Sequence, residues 1–474
     1  MKSSRRTMGA TLIAGACLAF FAFGFKGGSW VTERLAVTEV EVVARHPNID
    51  AIDAARSPVE PLRGRWAQYR QPAGSASPLA MYVEELGRLA SIGYVQGSHV
   101  AVNSAVVTRY DPSREYNSPT LVVSGHAPSA ELIDTDGNVL HTWSCSFEEV
   151  WPRRDVRDGE SQKYFWRRVH LYPDGSLLAI FEYLGAVKLD AHSNVIWART
   201  NSFNHDISVA KDGTIYMLEQ KPTQRPAVNP DLEIMDDHVT RLTPDGAVID
   251  SVSLVDCVLN SPCHDLLDRV VLESADIFHS NTLKVITEEQ SRAWPLARPG
   301  MVLVSLRELH TIALVDLLEK KVVWWSTDIA RYQHEPTVTP HGTILLFDNI
   351  WCGGRSRVIE IDPATNEIVW QYIGTQDKPF FSLTCSTAQF LPNGNRLITV
   401  SDEGRAFSLD PDGNIVWEYV NPHRAGENDE LIATLFQCQR LPKGFPIDWV
   451  DRASNQKTAN VQEARDAARS AGEA

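Results

Sequence analysis

The sequence predicts an all-β protein, a six-bladed β-propeller preceded by an N-terminal membrane or signal helix and a short helical spacer. Two recurring patterns support the propeller. The first is a strand, a polar turn and a second strand, as in "VIEIDPATNEIVW", and it occurs in six copies. The second, "h-x-P-x-G-x-h-h" with h an apolar residue, precedes most copies, as in "VTPHGTILLF". Together they make about four strands per repeat, which is typical of a propeller blade.

The strand-turn-strand copies share a turn and an ending. Their turns are rich in Asp, Gly and Asn, residues that favour tight connections between antiparallel strands. All but one copy end in a tryptophan, and we expect that ring to pack between neighbouring blades. The copies end at Trp143, Trp197, Asp250, Trp324, Trp370 and Trp417.

The two ends of the repeat region are predicted to meet in one blade. The first copy, Leu121–Trp143, lacks its leading strand, and a spare strand occurs in "LFQCQRLPKG", Leu435–Gly444. A blade cannot bury both of its faces alone, so the ring must close. We therefore expect the C-terminal strand to complete the first blade.

The chain is predicted to have four parts. These are a signal anchor or signal peptide at 1–30, a spacer with one helix at 31–103, the propeller at 104–450 and a polar tail at 451–474. The spacer helix is expected within residues 79–92, where apolar residues recur at helical spacing.

The N-terminal segment indicates export. An apolar run of 18 residues, Met8–Phe25, follows Lys2, Arg5 and Arg6. Its length is close to the minimum for crossing a bilayer, and the basic residues ahead of it would stay in the cytoplasm. We expect the rest of the chain to be periplasmic or otherwise extracytoplasmic, anchored to the inner membrane by this helix. No clear cleavage site follows, which favours an uncleaved anchor, and cleavage stays open.

Net charge and cysteine spacing argue against two kinds of site. The net charge of −15 argues against nucleic acid as a partner, because phosphate binding needs a basic surface. The seven cysteines match no zinc module. Cys257 and Cys263 are close enough in sequence to close a short disulfide loop, and their pairing is left open.

Three histidines occupy the same place in successive blades. His205, His279 and His334 open the third, fourth and fifth blades. Inner strands line the channel of a propeller, so we expect these side chains to meet at one mouth. Arg307 ends a strand of the fourth blade, and His310 follows it closely.

Several interpretations of this group are open. A histidine before a strand is often only structural. Three histidines could hold a metal ion, or they could bind and accept an anionic group whose charge Arg307 neutralises. An arginine favours the anion, because a cation is repelled by a divalent metal. We predict an anion site without a metal and without a cofactor.

Four motifs in the same order make the chain resemble a known family. They are "H-D" at His205-Asp206, "F-H-x-N" at Phe278–Asn281, "S-x-R" at Ser305–Arg307, and "Q-H" followed by "L-L-F-D-N" within Gln333–Asn349. The sequence is similar to bacterial arylsulfate sulfotransferases that work without a nucleotide sulfate donor, over roughly residues 119–442. That family consists of six-bladed propellers exported to the periplasm.

The resemblance implies a function and a set of site residues. A sulfuryl group would move from a sulfate ester donor to a hydroxyl acceptor in a ping-pong reaction, with His334 as the nucleophile that becomes transiently sulfurylated. Arg307, His279 and Asn281 would hold the sulfuryl oxygens, Asn281 as a substrate-binding residue. His205 would exchange the proton with the leaving and attacking oxygens.

The chain departs from the family pattern in three ways. "S-L-R-E" stands in place of the usual "S-S-R-H", the acidic residue Glu335 follows His334, and the aryl-binding N-terminal sandwich domain is replaced by the short spacer. An aryl substrate is therefore left open, as are the identities of donor and acceptor.

Two other functions are considered. "VIEIDPATNEIVW" is similar to the tryptophan-docking repeat of pyrroloquinoline-quinone dehydrogenases, although those usually have eight blades and a calcium site. A non-enzymatic propeller that only binds partners is the other alternative. Oligomeric state is left open, including a homo-oligomer.

Overall fold

The computed structural model describes residues 63–68, 106–154, 161–272, 274–352, 355–374, 380–426, 429 and 431–450, and two short paired strands, Phe25–Lys26 and Ser29–Trp30. The chain divides into two compact units, Met1–Pro61 and Leu62–Ala474. Within these described residues, no helix is long and apolar enough to cross a membrane. Residues 8–24 of the predicted N-terminal helix, the spacer helix at 79–92 and the tail at 451–474 lie outside them.

The second unit is an all-β six-bladed propeller, as predicted. Each blade is an antiparallel sheet, and the first strands of successive blades contact each other around the channel. From the channel outward, blade 1 contains Leu435–Arg440, Thr120–Ser124, Ser129–Ile133 and Val139–Ser144. Blade 2 contains Arg168–Leu171, Leu177–Phe181, Gly185–Leu189 and Val195–Arg199. Blade 3 contains Phe203–Val209, Ile215–Thr223, Ile234–Leu242 and Val248–Ser253.

The remaining blades follow the same order. Blade 4 contains Ser280–Val285, Val302–Leu306, Thr311–Asp316 and Lys321–Thr327. Blade 5 contains His334–Val338, Ile344–Asp348, Arg357–Asp362 and Glu367–Tyr372. Blade 6 contains Thr387–Phe390, Arg396–Val400, Arg405–Leu409 and Ile415–Val420, with Val107–Tyr110 as a fifth, outermost strand.

The ring closes by the predicted clasp. The C-terminal strand Leu435–Arg440 pairs antiparallel with Thr120–Ser124, in the register that places Cys438 opposite Val122. At its end the fully buried guanidinium of Arg440 donates to Glu115 at 2.9 Å. Blade 1 is thus built from both ends of the repeat region, so opening the ring would expose an inner strand.

The predicted spacer also contributes to this unit. Its residues Trp66–Gln68 pair with Leu431–Ala433, and that strand pairs with Arg424–Ala425. Of this small sheet, the strand Leu431–Ala433 lies immediately before the C-terminal strand Leu435–Arg440 in sequence. It brings Arg65 from the N-terminal side of the chain to the propeller.

The recurring turn and tryptophan of the repeat have the roles expected from the sequence. In the turn of blade 1, Asp134 accepts from the backbone N–H of Asn138 at 2.8 Å. The indole N–H of each of four tryptophans donates to a turn of the next blade: Trp143 to Gly175, Trp197 to Pro244, Trp324 to Pro363 and Trp417 to Thr135. The prediction that these rings pack between blades is confirmed.

Helices are short and lie in the connections. The α-helices are Phe147–Val150, Leu254–Leu259 and Glu288–Ala293, and the 3-10 helices are Ser161–Tyr164, His264–Arg269 and Ser401–Glu403. Cys257 and Cys263 flank the end of the second α-helix, and both are buried free thiols. The disulfide that the sequence left open is therefore not formed.

Candidate active site

The inner strands of blades 3, 4 and 5 start with the same irregularity. His205, His279 and Glu335 have left-handed backbone angles, with φ of 46°, 46° and 55°. In each of these strands the register with the second strand slips at or next to that residue. A non-glycine residue with positive φ is strained, and a bulge redirects the side chains around it. The same bulge therefore recurs in all three blades and turns the first residues of their inner strands toward the channel.

The structure brings the predicted histidines and arginine together at the mouth. The rings of His205 and His279 lie 4.8 Å apart between centroids. Arg307 directly follows Leu306, which pairs with Ser280, so the register places Arg307 beside His279. Burial lowers the pKa of His334 well below its usual value, and the charges of Arg307, Arg167 and His205 add to that effect. Groups from blades 2 to 5 therefore share one electrostatic environment.

His334 is held in one tautomer. Its Nδ1 lies 2.9 Å from the carbonyl oxygen of Tyr332 and 2.8 Å from Oδ1 of Asn349. The amide nitrogen of Asn349 donates to the carbonyls of Ser382 and Cys385 at 2.9 and 3.1 Å, which fixes Oδ1 as the atom facing the ring. Both neighbours of Nδ1 are acceptors, so Nδ1 carries the hydrogen and Nε2 carries the lone pair.

His205 is buried between two groups of blade 2. Its Nδ1 lies 3.0 Å from Oε1 of Glu182, and its Nε2 lies 3.1 Å from the hydroxyl of Tyr183. Burial lowers the pKa of His205 to about 4, although the carboxylate of Glu182 opposes this. Burial would raise the pKa of Glu182, but the contact and charge of His205 bring it to about 2. His205 is thus a buried neutral ring whose Nε2 is hydrogen-bonded to Tyr183 and whose Nδ1 lies against the carboxylate of Glu182.

His279 is the most accessible of the three rings. Its side chain is 26% exposed, against 7% for His205. Its Nδ1 donates to Oδ2 of Asp276 at 2.6 Å, and Gln220 donates to the other oxygen of that carboxylate at 3.0 Å. Burial would raise the pKa of Asp276, but the bond from His279 makes the net change a lowering. An ionised carboxylate therefore orients the ring and leaves Nε2 available to exchange a proton.

A second carboxyl lies behind this pair. Burial and the nearby charge of Asp276 raise the pKa of Asp237 to about 7, and Asp237 accepts from the backbone N–H of Ser280 at 2.8 Å. It therefore anchors the residue after His279. In the part of the chain that the structure describes, no three His, Cys, Asp or Glu side chains are grouped to hold a metal ion.

Arg307 is partly neutralised by a residue that departs from the family pattern. Its guanidinium pairs with the carboxylate of Glu308 and lies 4.7 Å from the ring centroid of Tyr332. His310 does not join the histidine group. It braces the same turn, since its backbone N–H donates to the carbonyl of Arg307 at 3.1 Å.

Asn281 and Gln333 fix the segment that carries the nucleophile candidate. Asn281 is 1% exposed, and its amide donates to the carbonyl of Gln333 at 2.9 Å. The amide of Gln333 donates in turn to Ser305 and to the carbonyls of Leu306 and Thr311. In this conformation Asn281 positions the backbone next to His334, and its predicted contact with substrate stays a prediction.

Four charged side chains from blades 2 to 5, here called the charge plate, pair with one another close to the histidines in sequence. Arg168 lies 3.1 Å from Asp206 and 2.7 Å from Glu335, and Lys284 lies 2.9 and 2.7 Å from the same two carboxylates. Although burial opposes it, the charges of Arg168 and Lys284 lower the pKa of Glu335 to about 2. The acidic neighbour of His334 is therefore turned into this neutral plate. The plate also lines a channel cavity of about 410 Å³.

The sequence analysis missed Glu182, Asp276, the charge plate and Arg167. Arg167 directly precedes the inner strand of blade 2, as His279 directly precedes that of blade 4. It is 2% exposed and donates from Nε to Glu182 at 3.1 Å. The sequence could have indicated Arg167 by its position, because "RRVH" lies at the start of an inner strand, as the three histidines do.

The fold and the mouth define a propeller that presents imidazole and guanidinium groups at one end of its channel, the composition of an anion-handling site. The family model described as arylsulfotransferase (ASST) matches residues 168–422, more than half of the chain. The chain belongs to this family, which confirms the resemblance drawn from its motifs. No curated protein matches the chain.

Several solved structures are similar in fold. A protein of unknown function from Bacteroides caccae is 11% identical, with a TM-score of 0.43, over 64% of this chain and 93% of that one. A streptogramin B lyase is 10% identical, with a TM-score of 0.40, over 72% of this chain and 95% of that one. The virginiamycin B lyase from Staphylococcus aureus is 10% identical, with a TM-score of 0.39, over 72% and 98%.

Proposed function

We propose that this protein is a sulfotransferase that moves a sulfuryl group from a sulfate ester donor to a hydroxyl acceptor through a sulfohistidine at His334, without a nucleotide donor. One observation carries the proposal. Among the described residues, both groups within hydrogen-bond distance of Nδ1 of His334 are acceptors, so Nδ1 carries the hydrogen and Nε2 offers a lone pair. The positive charge of Arg307 acts on this ring. A neutral imidazole with a fixed lone pair is a nucleophile that later leaves readily.

The first half-reaction transfers the sulfuryl group to the enzyme. The lone pair on Nε2 of His334 forms a bond to sulfur while the bond from sulfur to the ester oxygen breaks. The ester oxygen keeps that electron pair and takes a proton from the same acid–base group that receives the acceptor's proton in the second half-reaction, and the alcohol or phenol departs. The transition state of such a displacement is loose, so positioning and charge stabilisation dominate catalysis.

The second half-reaction returns the enzyme to its starting state. The acceptor oxygen attacks sulfur, its proton passes to a base, and the bond between sulfur and Nε2 breaks with its electrons returning to the ring. The family resemblance implied that His205 exchanges this proton. The geometry favours His279, because Asp276 orients its ring and its side chain reaches solvent, whereas the ring of His205 is buried between Glu182 and Tyr183.

Arg307 supplies the charge that the reaction needs. Its guanidinium would donate to the non-bridging oxygens of the sulfuryl group, and these bonds strengthen as charge develops. Burial lowers the pKa of His334 and the positive charge of Arg307 lowers it further, which preserves the lone pair. His205 would complete the pocket wall beside His279.

The partners and the compartment remain part of the proposal. The donor and the acceptor are small molecules, and the net charge of −15 argues against nucleic acid. The basic residues before the apolar N-terminal run support an extracytoplasmic enzyme held at the inner membrane.

The test is covalent labelling. Parent protein is incubated with an aryl sulfate, either alone or with a phenol added afterwards, then quenched under alkaline conditions and digested, and the peptide that contains His334 is weighed by mass spectrometry. We expect a sulfuryl adduct that disappears when phenol is added, and neither adduct nor turnover for His334→Ala. His341→Ala, an exposed histidine of the same blade, is the matched control and should behave as the parent. Full turnover by His334→Ala would refute the mechanism.

A further inference from the structure

Arg167 lies at the start of the inner strand of blade 2, and the three histidines of the site lie at or near the starts of the inner strands of blades 3, 4 and 5. It enters the inner strand of blade 2, as His279 enters that of blade 4, on the same face of the ring. Its side chain is almost completely buried. Its positive charge acts on both His334 and His205. These observations place a second guanidinium within the same mouth as Arg307.

The guanidinium of Arg167 is fixed by one ion pair, but one of its buried nitrogens has no hydrogen-bond partner among the described residues. Its Nε donates to Glu182 at 3.1 Å, and its carbon lies 5.1 Å from the ring centroid of Phe436. Arg65 lies 5.3 Å from the same centroid. Among the described residues, Nη1 of Arg167 has no hydrogen-bond partner although it is buried. A buried charged donor without a partner is costly, which calls for a ligand or a function.

The two arginines of the mouth differ in what they can offer an anion. Arg307 shares its charge with Glu308, whose carboxylate competes for the same guanidinium. Arg167 pairs through Nε, which leaves the opposite edge of its planar group for an oxygen ligand. The site therefore has an unmatched donor close to His334.

We propose that Arg167 is a substrate-contact residue, whose Nη1 donates to a non-bridging oxygen of the sulfate group held at His334. This proposal rests on the proposed sulfotransferase function, and it adds an anion contact from blade 2 to the contact from blade 4. Glu182 positions Arg167 and His205 together, since one carboxylate contacts both. Sulfate would thus be bound between two guanidinium groups, one from blade 2 and one from blade 4.

The experiment measures anion binding apart from turnover. Inorganic sulfate is titrated into the parent, Arg167→Gln and Arg167→Lys by calorimetry, and KM and kcat for an aryl sulfate are determined in parallel. We expect Arg167→Gln to weaken sulfate binding about 10- to 100-fold, the factor for one charged hydrogen bond. Arg167→Lys should recover part of the loss. Arg199→Gln, which removes the same charge from a more distant strand of blade 2, should leave sulfate affinity unchanged.

The outcomes separate this inference from the proposed function. Equal sulfate affinity in a folded Arg167→Gln variant and the parent would overturn the inference, as would a parent that binds no sulfate. A parent that binds sulfate through Arg167 but never labels His334 would overturn the sulfohistidine mechanism instead. If Arg167→Gln does not fold, the double variant Arg167→Gln/Glu182→Gln removes both partners of the buried pair, and Arg167→Lys supplies the same comparison.

Discussion

Replacing His205 by glutamine should remove a defined part of the acid sensitivity of the fold. Burial lowers the pKa of His205 to about 4 in the folded protein, whereas the ordinary value in an unfolded chain is about 6.5. The unfolded chain therefore binds a proton below pH 6.5 that the folded protein excludes until the pH nears 4. Because the folded pKa is the lower one, the stability is present above pH 6.5 and is lost as pH falls through this window.

The magnitude follows from the same values. Each pH unit inside the window costs about 1.4 kcal/mol, so His205 accounts for a loss of about 2 kcal/mol between pH 7 and pH 5. Glutamine cannot take up this proton. The loss of unfolding free energy between the two pH values should therefore be smaller in His205→Gln than in the parent by about 2 kcal/mol.

The assay is urea unfolding of the parent and His205→Gln at pH 7 and pH 5. The comparison uses the change between the two pH values, so a constant cost of the substitution cancels. His192→Gln, an exposed histidine in a turn of blade 2, serves as the control and should show the parental pH dependence. If His205→Gln loses as much stability on acidification as the parent does, the buried neutral ring is refuted.

Three further predictions concern the nucleophile, the arginine and the clasp. Asn349→Ala removes one of the two acceptors at Nδ1 of His334. It should slow sulfuryl transfer about 5-fold in stopped-flow measurements, the factor for about 1 kcal/mol. An unchanged rate would show that the carbonyl of Tyr332 alone holds the hydrogen on Nδ1. Glu308→Gln frees Arg307 and should lower KM for an aryl sulfate about 2- to 5-fold, while a raised KM would contradict competition by the carboxylate. Truncation before Leu435 removes the inner strand of blade 1 and should abolish cooperative unfolding in calorimetry, and an unchanged Tm would show that the ring closes without it.

The site could be found from the sequence because blades repeat in register. Each inner strand starts at the same mouth, so His205, His279 and His334 had to face a common space once the strands were recognised. Arg307 follows from the same rule, since the second strand of a blade runs back to that mouth. The rule also covers Glu182 and Asn349, which end the second strands of blades 2 and 5 or directly follow them. The role of Glu182 was missed because a single carboxylate carries no motif of its own, and Asn349 entered only as the last residue of "L-L-F-D-N", without a role.

Chain pattern alone determined the number of blades, the clasp and the convergence of the histidines, because strand period and turn residues are local and repeat along the chain. Tertiary structure decided which nitrogen of each ring is free, which arginine is shared with a carboxylate, and where Glu335 points. Several of these properties depend on partners far away in sequence, such as Asn349 for His334 and Arg168 for Glu335. Burial then sets the charge of each group, because the desolvation of a ring or a carboxyl exists only once the blades have closed around it.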